Sequence, residues 1–126
     1  MSKRRTCRRC GSRRVASKFT LRPPRRGAHG WCDPCVQEFN RDWNLRKRYG
    51  ITAEDYDEMH EAQGGKCMCC GDEVSDYGRG SRLHVDHCHE TGAVRGLLCQ
   101  RCNLLIGHAD ECTDRLRSAV EYLEAA

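Results

Sequence analysis

Three residues in one short stretch have the side chains that phosphodiester hydrolysis needs: the carboxylate of Asp86, the imidazole of His87 and the amide of Asn103. They fall in His84-Val85-Asp86-His87-Cys88-His89 and at the end of the run Thr91 to Asn103. Water must lose a proton as it attacks phosphorus, and a neutral imidazole near its pKa can take it. The leaving oxygen gains negative charge, which a hard divalent cation stabilises. Mg²⁺ prefers oxygen ligands and keeps several waters, so one carboxylate and one amide oxygen can hold it. His87 is therefore the expected base, with Asp86 and Asn103 holding Mg²⁺ or Mn²⁺. Singly, each residue has a plainer use: Asp86-His87 as a strand-end hydrogen bond, Asn103 as a helix N-cap. The three in this frame favour the metal-assisted site. The run His-Cys-His at 87–89 also reads as possible zinc ligands, but four cysteines nearby already complete a tetrahedral set.

Those cysteines form the frame. Of 11, eight pair as Cys-x-x-Cys: Cys7 and Cys10, Cys32 and Cys35, Cys67 and Cys70, Cys99 and Cys102. Such a pair closes a tight knuckle on a metal ion, and two knuckles complete a tetrahedral zinc site. Two structural zinc ions are expected, one on each set of four. A disulfide framework is the rival. The start MSKRRTCRRC has no apolar stretch behind its basic run, so a secretory signal is not expected. No transmembrane segment is legible either. An intracellular chain keeps its thiols reduced, which favours zinc. Cys69, Cys88 and Cys112 are read as packed or half-buried thiols.

Elements follow from spacing. Asp33-Pro34 reads as a helix start, a capping acid followed by proline in the first turn. Val36, Phe39 and Trp43 recur at helical spacing, which makes Trp43 a core residue. Arg46-Lys47-Arg48 suits the negative end of that helix, and Gly50 its stop. Thr52 opens a second helix, with Asp55 in a capping-box position and Ile51 and Tyr56 as a staple. Tyr56, Met59 and Gln63 share one face, and Gly64-Gly65 ends the element. Residues 72–81 read as a polar loop. Leu83 to His87 alternates as a strand, Glu90-Thr91-Gly92 is a turn, and Val94 to Leu98 returns. A helix is expected from Asn103. Another, with Leu116, Val120 and Leu123 as its apolar stripe, is expected from about Thr113.

Charge is divided along the chain. Residues 1–50 carry 15 Lys and Arg against 3 acids, whereas residues 51–126 carry 7 against 15. A basic arm beside an acidic body suits contact with a polyanion. Arg4, Arg5, Arg8, Arg9, Arg13 and Arg14 crowd the first knuckle with no acid among residues 1–30, so sequence-independent, salt-sensitive phosphate contacts are expected there. Arg95, Arg101 and Arg79 can add phosphate contacts near the cut, or pair with neighbouring acids. Trp31 can stack on bases.

The motifs H-V-D-H-C-H at 84–89, T-G-A-V-R-G-L-L-C-Q-R-C-N at 91–103 and C-M-C-C at 67–70 resemble the endonuclease VII branch of the HNH (His-Me finger) nucleases. The resemblance runs from about Tyr49 to His108. It implies a structural zinc on Cys67, Cys70, Cys99 and Cys102, a catalytic metal on Asp86 and Asn103, and His87 as activator of water. It implies that His89, with His84, assists near the phosphate. Cys88 stands where that family often has an acid. Only 23 residues follow Asn103, whereas the family's junction resolvase continues into a longer dimer-forming part. Nicking or double-strand cutting of duplex DNA is thus expected ahead of Holliday-junction resolution. A phage or prophage origin in a bacterial host is implied by the resemblance alone.

The expected fold is small α+β: a zinc-bound, treble-clef-like ββα-metal nuclease domain with an N-terminal zinc knuckle. The expected divisions are a basic knuckle or ribbon over 1–36, a linking helix over 37–50 and the nuclease domain over 51–126. DNA is the expected partner, alongside phage packaging or recombination machinery, and no membrane. Three rivals differ in class: a non-catalytic double zinc-finger nucleic-acid binder, a structural subunit of a larger machine, and a thiol redox protein.

Overall fold

The computed structural model describes residues 2–73 and 82–126. Arg79 and most of the loop expected at 72–81 lie outside the described residues. The chain divides into two compact units, Met1–Ala53 and Glu54–Ala126. Among the described residues no helix is long and apolar enough to cross a membrane.

The first unit opens on a small hairpin. Strands β1 (Arg4–Thr6) and β2 (Arg13–Val15) pair antiparallel, with Arg5 opposite Arg14. The turn between them is the Cys7–Cys10 knuckle. Its Cys7 N–H donates to Ser12 O at 2.9 Å, and Gly11 N–H returns to Cys7 O at 2.9 Å. Gly11 holds φ of 72°, the left-handed conformation that glycine adopts without cost. Helix α1 (Asp33–Tyr49) has Pro34 in its first turn, Arg46, Lys47 and Arg48 in its last, and Gly50 at φ 70° as its C-cap. This is the start and stop read from the sequence.

Two details of α1 differ from expectation. Cys32, not Asp33, is the N-cap residue, and no side chain caps the helix. Asp33 instead accepts the Thr20 N–H at 2.8 Å, the Leu21 N–H at 2.9 Å and the Thr20 hydroxyl at 2.8 Å. A carboxylate one residue inside the helix is free to reach a neighbouring loop, and these bonds hold its pKa below the usual range. Trp43 is 49% exposed rather than core. Val36 and Cys35 fill the buried side of the helix, while Lys47 lies 4.6 Å over the Trp43 ring. The unit's core is Cys7, Cys32 and Cys35 with Phe19 and Trp31 packed against them.

The second unit is a hairpin followed by a helix. After α2 (Ala53–Ala62), the strands β3 (His84–His87) and β4 (Val94–Leu98) pair antiparallel, and α3 (Gln100–His108) packs on both. The turn Cys88–Ala93 carries the expected Gly92, at φ 75°. Leu97 is fully buried beside Leu83, Val85 and Leu98. Truncating such a leucine costs about 2–5 kcal/mol. Tyr56 anchors α2 through its hydroxyl, which donates to Leu83 O at 2.6 Å. Gln63 behaves as an extra strand residue: it donates to Leu97 O at 2.9 Å and accepts the Leu97 N–H at 3.0 Å.

Helix α3 starts at Gln100, three residues before the expected Asn103. The Cys99 sulfur accepts the Cys102 N–H at 3.4 Å, so the second cysteine pair is itself the helix start. Helix α4 (Thr113–Glu124) begins where expected, but none of its residues is buried. Val120 and Leu123 of its apolar stripe are exposed, because nothing among the described residues packs over them. Of the three spare cysteines, Cys88 and Cys112 are half-buried, and Cys69 is exposed rather than packed.

Candidate active site and cysteine clusters

Both sets of four cysteines converge. The sulfurs of Cys7, Cys10, Cys32 and Cys35 lie within 4.8 Å of one another, as do those of Cys67, Cys70, Cys99 and Cys102. Cys7 to Cys35 is 3.8 Å, and Cys10 to Cys32 and Cys70 to Cys99 are 3.9 Å. A tetrahedral ion with Zn–S near 2.3 Å separates its ligand sulfurs by about 3.8 Å. A disulfide needs about 2.05 Å, so the cysteines are arranged as metal ligands rather than as bridges. Burial opposes ionisation of Cys7 and Cys67, but the N–H groups of their own knuckles and of the facing cysteine outweigh it and pull each thiol down to about 6. Burial pushes Cys35 up to about 12, helped by the neighbouring sulfurs. The first cysteine of each knuckle is thus the one whose surrounding N–H groups favour the thiolate. His87, Cys88 and His89 form no converging ligand group among the described residues.

Cys99 and Cys102 of the second cluster open α3, the helix that carries Asn103. The β3–β4 ladder slips between Asp86 and His87: Asp86 pairs with Gly96 and His87 with Val94. Arg95 is the extra residue of this bulge. A bulge bends the strand and re-aims a side chain. Here the Arg95 guanidinium meets Asp86 face to face, Nε to Oδ2 at 2.6 Å and NH2 to Oδ1 at 2.9 Å. Asp86 is 8% exposed, and a buried carboxylate requires such a partner. Arg95 also donates to His87 O at 3.3 Å and to Glu111 Oε2 at 3.2 Å. Its pKa is raised, first by the bonds to Asp86.

Glu111 was not legible in the sequence. It sits in the link between α3 and α4, where Asp110 and Glu111 hold φ of 53° and 56°. Two successive non-glycine residues in the left-handed region are costly and persist where the surroundings impose them. The geometry carries the Glu111 carboxylate back to the hairpin. Oε1 accepts the His89 N–H at 3.1 Å and lies 3.3 Å from His89 Nδ1, while Oε2 takes Arg95. Desolvation raises the Glu111 pKa, but Arg95 and the His89 N–H outweigh it, and the carboxyl titrates below its usual range. No local sequence signal marks this acid, since its role comes from the turn and not from spacing.

Asp86, His89 and Asn103 line one cleft of about 220 Å³, together with His108 and Glu111. The His87 ring stands at the edge of this group, 5.1 Å from the His89 ring and inclined to it at 63°. His84 is exposed on β3 and is not among the residues lining the cleft. Of the arginines expected on phosphate, Arg101 is exposed on α3, whereas Arg95 is engaged by two carboxylates. In the first unit Arg4, Arg5, Arg8 and Arg13 are exposed, Arg9 pairs with Glu38 at 3.2 Å, and Arg14 is half-buried.

Residues 42–125, two thirds of the chain, match the recombination endonuclease VII family. The chain belongs to that family. Among relatives of this endonuclease VII member, it is 46% identical over 84 residues to the Gene 59 protein of Mycobacterium phage D29, and 44% identical over 84 residues to that of Mycobacterium phage L5. Each match takes in 64% of this chain and 49% of the relative, so the chain spans about half the length of the phage proteins it matches. Among solved structures, the ββα-Me type II restriction endonuclease Hpy99I overlays at a TM-score of 0.41 with 20% identity, over 97% of this chain and 65% of that one.

Proposed function

We propose that this chain is a divalent-metal-dependent DNA endonuclease of the HNH type that nicks or cuts duplex DNA. The observation that carries the reading is the convergence of Asp86, His89 and Asn103 on one cleft of a hairpin–helix unit, in a member of the endonuclease VII family. The donor set fits a hard cation: one carboxylate and one amide line the cleft, and the carboxylate already holds a positive group, the Arg95 guanidinium. Asp86 and Asn103 would hold Mg²⁺ or Mn²⁺. When bound, the ion supplies positive charge to the leaving oxygen.

The chain's own residues do the rest. His87 accepts the proton of the attacking water. His89, steadied through Nδ1 and its N–H by Glu111, contacts the phosphate. Arg95 orients the Asp86 carboxylate and is itself tied to Glu111 and His87 O. The two cysteine clusters would each hold a zinc ion, which would fix the frame. The relatives are phage proteins, which supports action inside a bacterial host, where thiols stay reduced. The occupation of both Asp86 oxygens by Arg95 favours one alternative, a non-catalytic zinc protein that only binds nucleic acid.

Supercoiled plasmid incubated with zinc-loaded protein separates the two. Nicked or linear product with Mg²⁺ or Mn²⁺, absent without added metal and absent for His87→Ala, is the expected result. Intact plasmid with retained DNA binding would leave the binding module standing.

A further inference from the structure

The first unit carries a second concave site that the endonuclease chemistry does not use. A cleft of about 590 Å³ is lined by Arg22, Pro23, Pro24, Arg25, Arg26 and His29, with Asn40 from α1 closing it. Three guanidiniums and an imidazole meet there, and no acid does. Arg22, Arg25 and Arg26 make no ion pair with an acid among the described residues, although acids such as Glu38 and Asp42 on α1 pair with other arginines. Their loop is held in shape. Two prolines stiffen its start, and Ala28 beneath it is fully buried. The Arg25 guanidinium lies 5.7 Å from the Trp31 ring centre and 5.6 Å from that of Phe39, two rings that meet edge to face.

The knuckle arginines are in a different condition. Arg5 covers the Phe19 ring at 4.8 Å. Arg9 is spent on Glu38, on Cys35 O at 2.7 Å and on the Trp31 ring at 4.9 Å. The Arg8 chain lies against Gly30, where a Cβ would meet its Cδ at 3.0 Å. The Arg14 Nε is shut away from solvent. Arg9 is thus committed to an acid and Arg5 to a ring, whereas Arg4 and Arg13 are exposed on the two strands and line no part of the cleft.

We infer that the Arg22–His29 cleft is the seat for the phosphodiester backbone of duplex DNA on the first unit, and that it carries more of the contact than the knuckle and hairpin arginines. The inference rests on the reading above that DNA is the substrate. Guanidiniums that make no ion pair among the described residues, gathered in a concave site whose lining holds no acid, suit the phosphates of a duplex, and they read no sequence.

The test is binding of a labelled duplex to the full zinc-loaded chain by fluorescence anisotropy, without added divalent metal, across a salt series. Arg22→Gln/Arg26→Gln is compared with Arg4→Gln/Arg13→Gln, which removes the same charge from the hairpin. Losing two phosphate contacts lowers the slope of log K against log salt by about 1.8. The cleft variant is expected to show that drop and at least tenfold weaker binding near physiological salt, and the hairpin variant less than half of the drop. Equal effects, or an unchanged slope in the cleft variant, would overturn the inference. A second measurement needs no variant: duplex DNA should shield Arg22 and Arg26 of the wild-type chain from an arginine-selective dicarbonyl reagent, read by mass spectrometry, while Arg4 and Arg13 stay reactive. The reverse pattern sinks the proposal. Shielding and slope as expected, with plasmid left intact under Mg²⁺ and Mn²⁺, would remove the endonuclease reading and leave this one standing. Cleavage without either sign removes this one alone.

Discussion

In the first unit a knuckle at Cys7–Cys10 faces a helix that begins at Cys32–Cys35; in the second a knuckle at Cys67–Cys70 faces a helix that begins at Cys99–Cys102. The local construction is repeated closely. Cys67 N–H donates to Asp72 O at 3.0 Å and Gly71 N–H to Cys67 O at 2.9 Å, the same two bonds that close the Cys7 turn. In both, the first cysteine of the second pair is the helix N-cap. What differs is the chain between the pairs. The first unit inserts an arginine- and proline-rich loop with no acid before Asp33. The second inserts the β3–β4 hairpin, which brings a carboxylate and histidines to the start of α3. The cysteine frame is shared, closing a loop at similar geometry in both units, and the inserted segments differ: arginines and prolines in the first, a carboxylate and histidines in the second. The turn Cys88–Ala93 sharpens the point: its N–H bonds repeat the knuckle pattern, at 2.9 and 2.7 Å, but Thr91 stands where a second cysteine would. It draws the Cys88 pKa down through the Thr91 side chain and N–H, and it serves as a plain hairpin turn.

The largest expected break of this comparison is Cys99→Ser against Cys32→Ser. Structural zinc supplies on the order of 10 kcal/mol to small domains that fold around it. Each variant should lose one of two bound zinc ions by atomic emission. Only Cys99→Ser should reduce plasmid cleavage to background, while Cys32→Ser keeps cleavage at saturating protein and loses affinity. Equal loss of cleavage in both would end the division of labour. Next is His87→Ala, expected to slow cleavage about 10²–10⁴-fold in single-turnover assays with both zinc ions retained.

Glu111→Gln comes third. It keeps the shape but weakens the hold on His89 and Arg95, and about 10–100-fold loss of activity is expected, as for partners that orient a metal site. Its pH sense follows from the depressed pKa. The folded carboxyl titrates below the unfolded value of about 4.3, so the stabilisation is complete above that value and fades as pH falls through the folded one. Acid unfolding followed by circular dichroism should start at higher pH without Glu111's charge, and an unmoved curve would show that the turn is held by other contacts.

Gly30→Ala is smaller and confined to the first unit. Gly30 has φ of 79° and its added Cβ would press on Arg8, so a loss of about 1–3 kcal/mol in thermal unfolding is expected, with cleavage by the second unit intact. Smallest of all is Val120→Ser on α4. That residue is half exposed and belongs to neither frame, and a change within about 0.5 kcal/mol is expected. A larger loss would mean that α4 is covered in solution.

Much of this was legible in the chain. Cys-x-x-Cys spacing is a local constraint, so both ligand sets could be named from the sequence, as could the ends of α1 from Pro34 and Gly50 and the hairpin from Gly92. Family motifs are likewise strings of neighbours. Trp43 was misread because helical periodicity reports which residues share a stripe and not whether anything covers it, and the stripe of α4, correctly placed from Thr113, is left uncovered for the same reason. The start of α3 was misplaced because a sulfur cap has no place in the usual capping vocabulary. The Asp86–Arg95 pair needed the bulge, which shifts register by one residue and cannot be seen in strand alternation. Glu111 needed two left-handed residues in succession, a conformation that no composition announces. The sequence by itself determined the frames and the residue types within them. Only the tertiary structure decided which charges meet, because opposite charges pair according to distances set by turns and register, and those arise from contacts far apart in the chain.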